Sequence, residues 1–147
     1  MFKHILVPTD GSILSLRAAK NAVRFAKVHG ARITAFFAAP EYHPNIAGDY
    51  MPANFVPLAE FEKQIQKTAD KYLGQVKKLA AAGKVPCAGL YVSNDSPYQA
   101  IIKAAKTRNC DLIFMASHGR SGIAGLLIGS ETNKVLTHCK LPVVVYR

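Results

Sequence analysis

The sequence predicts an α/β fold, namely an open, Rossmann-like parallel sheet of five strands with helices on both faces. Short apolar runs alternate five times with segments of helical spacing along the 147 residues. That alternation is typical of parallel sheets whose connections are helices. Half of the residues are hydrophobic, which excludes a disordered tail. The length suits one domain, and residues 1–147 show no internal repeat and no boundary.

Each predicted element has a local sequence signal. Asp10 or Ser12 can cap the first helix, and Gly30 and Gly83 stand where the first two helices should end. Pro97 fits the first turn of the third helix, because an N–H at that position would have no partner within the helix. In chain order the predicted strands are 5–7, 33–38, 85–92, 111–117 and 143–145, and the predicted helices end near 30, 82, 108 and 138.

Residues 39–57 separate the second strand from the second helix and follow neither a strand period nor a helix period. Four prolines lie there among polar and aromatic residues. A loop of this length inside a compact domain is uncommon and often functional. Its place after the second strand would let it act as a lid over a site at that edge of the sheet.

The chain is strongly basic, with a formal net charge of +10. That charge favours anionic partners in general: a nucleotide, a nucleic acid or a membrane surface. Basic residues recur on one face of two predicted helices, but such stripes are usually solvated, and neither stacking aromatics nor a nucleic-acid motif accompanies them. A charge-driven nucleic-acid or anionic-surface binder is therefore a low-ranking alternative. The stripes are Arg17, Lys20, Arg24 and Lys27 in the first helix and Lys63, Lys67 and Lys71 in the second.

The cysteines and the apolar runs bear on the location of the protein. Cys87, Cys110 and Cys139 are far apart and form no Cys-x-x-Cys pair, so we interpret them as reduced thiols of a cytoplasmic protein rather than as a metal site. No apolar run approaches the roughly 18 residues of a membrane span. The N-terminal run 5–7 is too short for the core of a signal peptide.

The most informative segment is the glycine-bearing stretch 116–130, between the fourth strand and the last helix. Ala116-Ser117-His118-Gly119 follows the apolar run 112–115, and nine residues later Gly129-Ser130 leads into the helix. Glycine lets the backbone approach an anion closely, and the free N–H groups of a helix start favour negative charge. The stretch therefore predicts phosphate binding. The structural alternative is a plain glycine loop with Ser130 as the N-cap.

A second polar turn, Pro8-Thr9-Asp10-Gly11-Ser12, follows the first strand. Ligands of open α/β sheets lie beyond the carboxyl ends of strands, at the point where strand order reverses. If the first and fourth strands are neighbours, this turn and the loop 117–130 share one crevice. Asp10 could then bond two ribose hydroxyls, cap the first helix, or do both. Arg120 and a ring N–H of His118 could reach a phosphate.

These residues together resemble the universal stress protein family in its small, single-domain form. The resemblance runs nearly end to end, from 5–12 through the long middle helix to 142–145. Its most specific part is the nucleotide motif Gly-x-x-Gly-x9-Gly-Ser/Thr of the ATP-binding branch, matched here by 116–119 and 129–130. Ala116 replaces the first glycine. If that position needs a positive φ, alanine is strained; we expect it to be strand-like, where alanine costs little.

The resemblance implies a nucleotide site, a strand order and a dimer. It implies the order 3-2-1-4-5, and ATP with Mg²⁺ that is held through the phosphates. It also implies a homodimer through the last strand, and the apolar, uncharged run 143–146 permits this because such edges tend to pair. The cofactor-binding residues would be Pro8, Thr9 and Asp10 at the adenosine, with Asp10 on the ribose; Ala38 at the adenine; Met115 and Ala116 beside the adenosine; and His118, Gly119, Arg120, Gly129, Ser130, Glu131 and Thr132 at the phosphates.

Such proteins resemble stress-response sensors more than enzymes, and slow ATP hydrolysis belongs to some members only. The alternative function is a slow ATPase or a phosphotransferase, which needs a positioned base. Only His118 and Glu131 are near enough in sequence. The hydroxyls of Ser130 and Thr132 could bond phosphate oxygens or a phosphate-bound Mg²⁺. We assign no catalytic residue and no protein ligand to the metal.

Overall fold

Strands and helices alternate strictly along the chain, in a computed structural model that describes residues 1–120, 122 and 127–147. Each helix connects two parallel strands, which is the connection that parallel pairing requires. The elements are β1 (His4–Pro8), α1 (Ile13–His29), β2 (Arg32–Ala39), α2 (Leu58–Ala82), β3 (Cys87–Ser93), α3 (Pro97–Thr107), β4 (Leu112–Ala116), α4 (Ser130–His138) and β5 (Val143–Tyr146).

The sheet has the order β3-β2-β1-β4-β5, and every neighbouring pair is parallel. This confirms the predicted fold class and the order that the family resemblance implied. Successive residues of β1 point to opposite faces, so Ile5 and Val7 pack under α1 and α2 while Leu6 packs under α3 and α4. Because both faces are covered, the central strands carry consecutive apolar residues, as in Ile5-Leu6-Val7 of β1 and Leu112–Ala116 of β4, rather than apolar residues at alternate positions only.

The order reverses direction between β1 and β4, which were the strands expected to be neighbours. Ile5 pairs with Leu112, and Leu6 pairs with Ile113. The first two crossovers lead from β1 outward to β3, the third returns across the sheet to β4, and the last leads from β4 outward to β5. The turn after β1 and the loop after β4 therefore emerge side by side at the carboxyl edge.

The first helix begins at Ser12, one of the two residues predicted to cap it. Ser12 has an extended backbone, and its hydroxyl accepts the Ser15 N–H at 3.2 Å. Asp10, the other predicted cap, lies two residues before Ser12, and its carboxylate accepts the Ser12 N–H at 3.0 Å. Gly30 follows the last helical residue, as the sequence predicted, and its φ of 61° is left-handed.

The third strand begins two residues later than the predicted start at 85. The Val85 N–H donates to Ala80 O at 2.9 Å, so Val85 still belongs to the end of α2. Lys84 makes this possible because its backbone is left-handed, with φ 57°. The fourth strand is correspondingly shorter than the predicted 111–117, since β4 pairs only over Leu112–Ala116.

The loop 39–57 is held to the body of the protein rather than extended from it. The Tyr42 hydroxyl donates to Val56 O at 2.7 Å, and the Tyr42 ring lies 5.2 Å from the Phe61 ring. A small antiparallel bridge joins Ala47 to Tyr50. The base of the loop is thereby closed against the start of α2.

The basic stripe on α1 faces solvent, and its residues Arg17, Lys20, Arg24 and Lys27 are all exposed. Apolar residues occupy the opposite side of the helix and join the core through Ala18, Ala19, Ala22, Val23 and Ala26. Among the described helices, none combines the length with the apolar character needed to cross a bilayer.

Candidate functional site

A cavity of about 500 Å³ opens at the carboxyl ends of β1, β2 and β4, beside the first turns of α3 and α4. This volume is typical of small-molecule sites. All thirteen residues predicted to bind a cofactor line the cavity: Pro8, Thr9, Asp10, Ala38, Met115, Ala116, His118, Gly119, Arg120, Gly129, Ser130, Glu131 and Thr132. Within the glycine-bearing stretch, Ser121 and residues 123–126 lie outside the described residues.

Gly122, a glycine of the predicted phosphate loop, also lines the cavity. Sequence reasoning missed five further lining residues: Ser15, Phe36, Phe37, Pro97 and Ile101. Phe36 and Phe37 were assigned to a strand core because they lie in an apolar run, and they are indeed buried. Pro97 and Ile101 lie one turn apart at the start of α3. The signal that could have found them is topological, because the carboxyl end of β2 and the amino end of α3 reach the same edge of the sheet.

Asp10 joins the two loops that the sequence predicted to share a crevice. Its Oδ1 accepts the Ser12 N–H at 3.0 Å, and its Oδ2 accepts the Arg120 N–H at 2.8 Å. The Arg120 Nε in turn donates to the Asp10 backbone oxygen at 2.8 Å. A Cβ on Gly119 would collide with the Asp10 carboxylate. The backbone can make this close approach only because residue 119 has no side chain.

Hydrogen bonds keep the Asp10 carboxylate ionised. Partial burial raises the pKa of Asp10, but hydrogen bonds from Ser12, the Arg120 amide and Ser15 outweigh burial and bring the pKa below its usual value. Each carboxylate oxygen has accepted one amide and keeps a second lone pair. Asp10 can therefore hold the two loops together and still accept hydroxyl groups from a ligand.

Arg120 is held over the turn after β1 rather than left free in solvent. Besides its two hydrogen bonds with Asp10, its guanidinium carbon lies 5.2 Å from the centroid of the Tyr72 ring. That distance allows a cation–π contact. The expectation that the Arg120 side chain reaches a phosphate therefore requires it to give up contacts that it makes in this structure.

The first turn of α4 presents its backbone amides to the cavity. Gly129 is the N-cap, with an extended backbone and ψ 160°, and no side chain of the described residues caps this helix. Ser130 is therefore the first helical residue and not the N-cap of the structural alternative. Among the described residues, no acceptor takes the N–H of Ser130, Glu131 or Thr132. Three amides at the positive end of a helix dipole thus remain available to an anion.

Gly129 lets the loop pass against His118. The Gly129 N–H donates to Ser117 O at 2.6 Å, and a Cβ there would lie 3.0 Å from His118 Cβ and 3.1 Å from His118 Cα. The His118 ring accepts or donates at Nδ1 with the Ser117 hydroxyl, 3.1 Å away. His118 is half-buried at the wall of the cavity.

Two polar side chains of α4 have structural partners that the sequence did not predict. The buried Thr132 hydroxyl donates to Ala116 O at 3.0 Å, so it fastens α4 to β4 and cannot donate to a phosphate. This corrects the expectation for its hydroxyl, while its backbone N–H stays available. The Glu131 carboxylate accepts the Tyr98 N–H at 2.9 Å and the Lys134 ammonium at 3.0 Å. Glu131 thereby caps α3 from the first turn of α4.

Ala116 is the last residue of β4, and its backbone is strand-like. It is buried, and it pairs with Tyr146 of β5. Among the described residues that carry a side chain, only Lys84 and Asn109 have a positive φ. The strand-like alternative for this position is confirmed, and alanine is unstrained there.

The wall opposite α4 is apolar and has one polar strip. Its lining includes the apolar residues Phe36, Met115 and Ile101. The pairing of β1 with β2 ends at Pro8 and Phe36, and the Thr9 N–H donates to Phe36 O at 2.8 Å. Every second residue of a parallel strand turns its backbone to the same neighbour. Ala38 therefore turns its N–H and C=O toward the space where β1 has ended.

Comparison with known proteins finds relatives that span the whole chain. The model of the Universal stress protein family matches residues 1–147. A universal stress protein of Thermus aquaticus is 31% identical over 147 residues, which cover 100% of both chains.

Two solved structures share the fold over almost the whole length. The universal stress protein UspA from Lactobacillus plantarum has a TM-score of 0.79 and 25% identity, and the match covers 99% of this chain and 98% of that one. A universal stress protein in complex with cAMP has a TM-score of 0.68 and 25% identity, with 99% and 97% covered. The chain therefore belongs to the universal stress protein family.

Proposed function

We propose that the protein binds an adenine nucleotide in this cavity, with ATP and its Mg²⁺ as the ligand, and works as a nucleotide-dependent regulatory module of the stress response. One observation carries the proposal: a single cavity joins an apolar wall to the uncapped start of a helix. An adenine nucleotide needs apolar surroundings for its base and hydrogen-bond donors for its phosphates, both within the length of one molecule. The cAMP complex of a structural neighbour supports the same class of ligand.

The adenine would lie against the apolar wall. Apolar residues line that wall, namely Phe36, Met115 and Ile101, and such surroundings suit a base. The Ala38 backbone offers one donor and one acceptor, the pattern that the edge of adenine complements. Guanine presents the opposite pattern at the corresponding positions, so adenine is favoured.

The ribose and the phosphates would follow toward α4. Asp10 is ionised and keeps acceptor capacity, which suits two ribose hydroxyls. The free amides of 130–132 would bind phosphate oxygens, because a helix start combines donors with a favourable dipole. Mg²⁺ would be held by the phosphates, with no protein ligand assigned.

Titration calorimetry tests the proposal directly. We expect ATP with Mg²⁺ to bind with one site per chain, and GTP to bind at least about tenfold more weakly because it mismatches the Ala38 backbone. AMP should be weaker than ATP, since it reaches fewer amides of α4. An absence of heat at millimolar ATP would contradict the proposal. Equal affinity for ATP and GTP would contradict the assignment of Ala38.

A slow ATPase is the second candidate function, and the structure reduces the two residues considered as its catalytic base to one. Glu131 already binds the Tyr98 N–H and Lys134, so its carboxylate is engaged. His118 lines the cavity and is the base that this candidate would use. Phosphate release measured for the wild type and for His118→Ala separates the two functions. A negligible rate in both supports a binding module, and a rate lost only in the variant supports hydrolysis.

A homodimer through β5 is part of the proposed function. In the part of the chain that the structure describes, β5 is an edge strand that pairs only with β4, and its half-buried residues are apolar from Val143 to Val145. A second copy of β5 would pair the open backbone groups of that edge. Analytical ultracentrifugation should show a dimer for the wild type and a monomer for Val144→Lys. A monomeric wild type at millimolar concentration would contradict this part of the proposal.

We also propose a cytoplasmic location, which the cysteines support. Cys87, Cys110 and Cys139 are all free thiols. Burial raises the pKa of Cys110 to about 11, so this thiol stays protonated and unreactive. Fractionation of cells that express the tagged protein tests the location, and recovery in the medium or the membrane fraction would contradict it.

A further inference from the structure

A second cluster of ligand-type side chains lies at the same edge of the sheet, outside the cavity. Glu41 and His43 come from the loop after β2, and Asp95 comes from the turn after β3. One ligand atom from each residue can be chosen so that all three lie within 4.8 Å of one another. All three side chains are exposed, and none of them lines the cavity.

Asp95 brings the two segments together. Its Oδ1 accepts the Glu41 N–H at 2.9 Å, and its Oδ2 is in direct hydrogen-bond contact with Nε2 of His43. Tyr42, which stands between the two loop residues, is itself fixed by its hydrogen bond to Val56 O. Hydrogen bonds on both sides therefore hold the backbone that carries Glu41 and His43.

The donor set is one imidazole nitrogen and two carboxylates from different residues. Zinc binds these groups at about 2.0–2.2 Å, which places neighbouring ligand atoms roughly 3–3.5 Å apart. The three ligand atoms now lie within 4.8 Å of one another, so the distances between them need to shorten by little more than 1 Å to reach that spacing. Imidazole favours zinc and similar transition metals over Mg²⁺ and Ca²⁺, which prefer oxygen ligands alone.

We propose that Glu41, His43 and Asp95 form a surface site for a divalent transition-metal ion of the zinc class, with water in the remaining positions. The site does not depend on nucleotide binding. Metal binding would clamp the loop 39–57 to the turn before α3, because the ligands come from both segments. That turn leads within two residues to Pro97, which lines the cavity.

The alternative explanation of this cluster is a salt bridge without a metal ion. The His43–Asp95 pair would then fasten the loop by itself, with Glu41 as a bystander. The two cases differ at Glu41, because only a metal site needs its carboxylate. They also differ in the response of the loop to added zinc.

Calorimetric titration of nucleotide-free protein with Zn²⁺ tests the proposal. We expect one site per chain, and a loss of at least about tenfold in affinity for each of Glu41→Gln, His43→Ala and Asp95→Asn. The control is the double variant His138→Ala/Cys139→Ser, which removes another adjacent histidine and thiol and should leave that site intact. Mg²⁺ at the same concentration should not compete.

Limited proteolysis supplies a second readout. Zn²⁺ should slow cleavage within 44–56 in the wild type and in the control variant, but not in Glu41→Gln. Circular dichroism should show that all variants keep the fold, since Glu41, His43, Asp95 and His138 are exposed and Cys139→Ser changes only one atom of a half-buried side chain. The proposal is overturned if the wild type binds no Zn²⁺ at millimolar concentration, or if the three ligand variants bind it as tightly as the wild type.

Discussion

The helix termini at the two ends of the sheet differ in whether the protein itself satisfies their backbone N–H and C=O groups. At the amino end, α1, α2 and α3 each finish at a left-handed residue, namely Gly30, Lys84 or Asn109, with φ between 54° and 61°. The next N–H then donates back into the helix, as in Ala31 to Ala26 O at 2.8 Å and Cys110 to Ala105 O at 2.8 Å. The protein itself thus satisfies the last carbonyls of three helices.

At the carboxyl end, the first amides of α4 are left to solvent or a ligand. Glycines replace side chains there, and Asp10 bridges two loops instead of sealing them. Volume does not distinguish the two ends, because a cavity of about 490 Å³ also opens at the amino end. That cavity is lined by Lys3, Lys27, Arg32 and Lys84, which complement the negative ends of nearby helices. Unsatisfied backbone groups, rather than empty space, distinguish the end that we propose to be functional.

Gly119→Ala is the change at the carboxyl end with the largest expected effect. The new Cβ would collide with the Asp10 carboxylate and separate the two loops. We expect ATP affinity to fall at least about tenfold, equivalent to about 1.4 kcal/mol or more. Gly74→Ala is the matched control, because a Cβ there meets no atom within 4 Å. It should leave the affinity unchanged and raise the free energy of unfolding by about 0.5–1 kcal/mol. Calorimetry measures the ATP affinity, and urea titration measures the free energy of unfolding. An unchanged ATP affinity in Gly119→Ala would contradict the role that we assign to the carboxyl end.

Asp10→Asn tests whether the bridge between the loops is also structural. One amide would lose its charged acceptor, so we expect the free energy of unfolding to fall by about 1–3 kcal/mol. Asp70→Asn, an exposed change on α2, should stay within about 0.5 kcal/mol of the wild type.

The pH dependence of the Asp10 effect has a definite sign. The pKa of Asp10 is lower in the folded state than its usual value of 3.8. The carboxylate therefore stabilises the fold fully above about pH 4–5, and this contribution is lost as the pH falls through the folded pKa. The stability difference between wild type and Asp10→Asn should shrink below pH 4. A difference that grows on acidification would show that the assigned shift has the wrong sign.

Lys84→Gly probes the amino end, where the left-handed backbone costs a lysine more than a glycine. We expect the free energy of unfolding to rise by about 0.5–1 kcal/mol, since the relief of strain exceeds the added entropy of the unfolded chain. Lys78→Gly, in the interior of α2, should lower it by about 1 kcal/mol. ATP affinity should not change in either variant. If Lys84→Gly destabilised as much as Lys78→Gly, the left-handed assignment would be wrong.

Ala116→Gly has the smallest expected effect on binding, although it restores the glycine of the family motif. Ala116 is strand-like and unstrained, so a glycine relieves nothing and only adds entropy to the unfolded chain. We expect the free energy of unfolding to fall by about 0.5–1 kcal/mol and the ATP affinity to change less than twofold. A severalfold gain in affinity would show that the alanine methyl group crowds the ligand.

Local signals predicted the ends of most elements, and the exceptions have physical causes. Gly30 was recognisable because glycine is the usual left-handed residue, whereas Lys84 and Asn109 carry no such mark. The third strand was predicted to start at 85 because Val85 is apolar and β-branched. The protein uses the N–H of Val85 to close α2, and that pairing depends on a backbone turn at Lys84.

The loop 39–57 shows a further limit of prediction. Its position suggested a lid, yet none of its residues lines the cavity in this structure. Its base is fixed instead by Asp95, which is more than fifty positions away from Glu41 in the chain. A contact between segments so distant in sequence leaves no periodic pattern in either segment.

The sequence by itself determined the alternation of strands and helices and the two polar loops, and its resemblance to a family supplied the thirteen candidate residues that line one cavity. The alternation and the loops follow from hydrophobic periodicity and from glycine and proline, which act over a few residues. Only the tertiary structure decided which polar groups remain free. The Thr132 hydroxyl and the Glu131 carboxylate looked available in sequence, and both are taken by residues of other elements. Hydrogen bonding depends on distances that packing sets, so the chemistry of the site was completed only when the sheet brought β1 and β4 together.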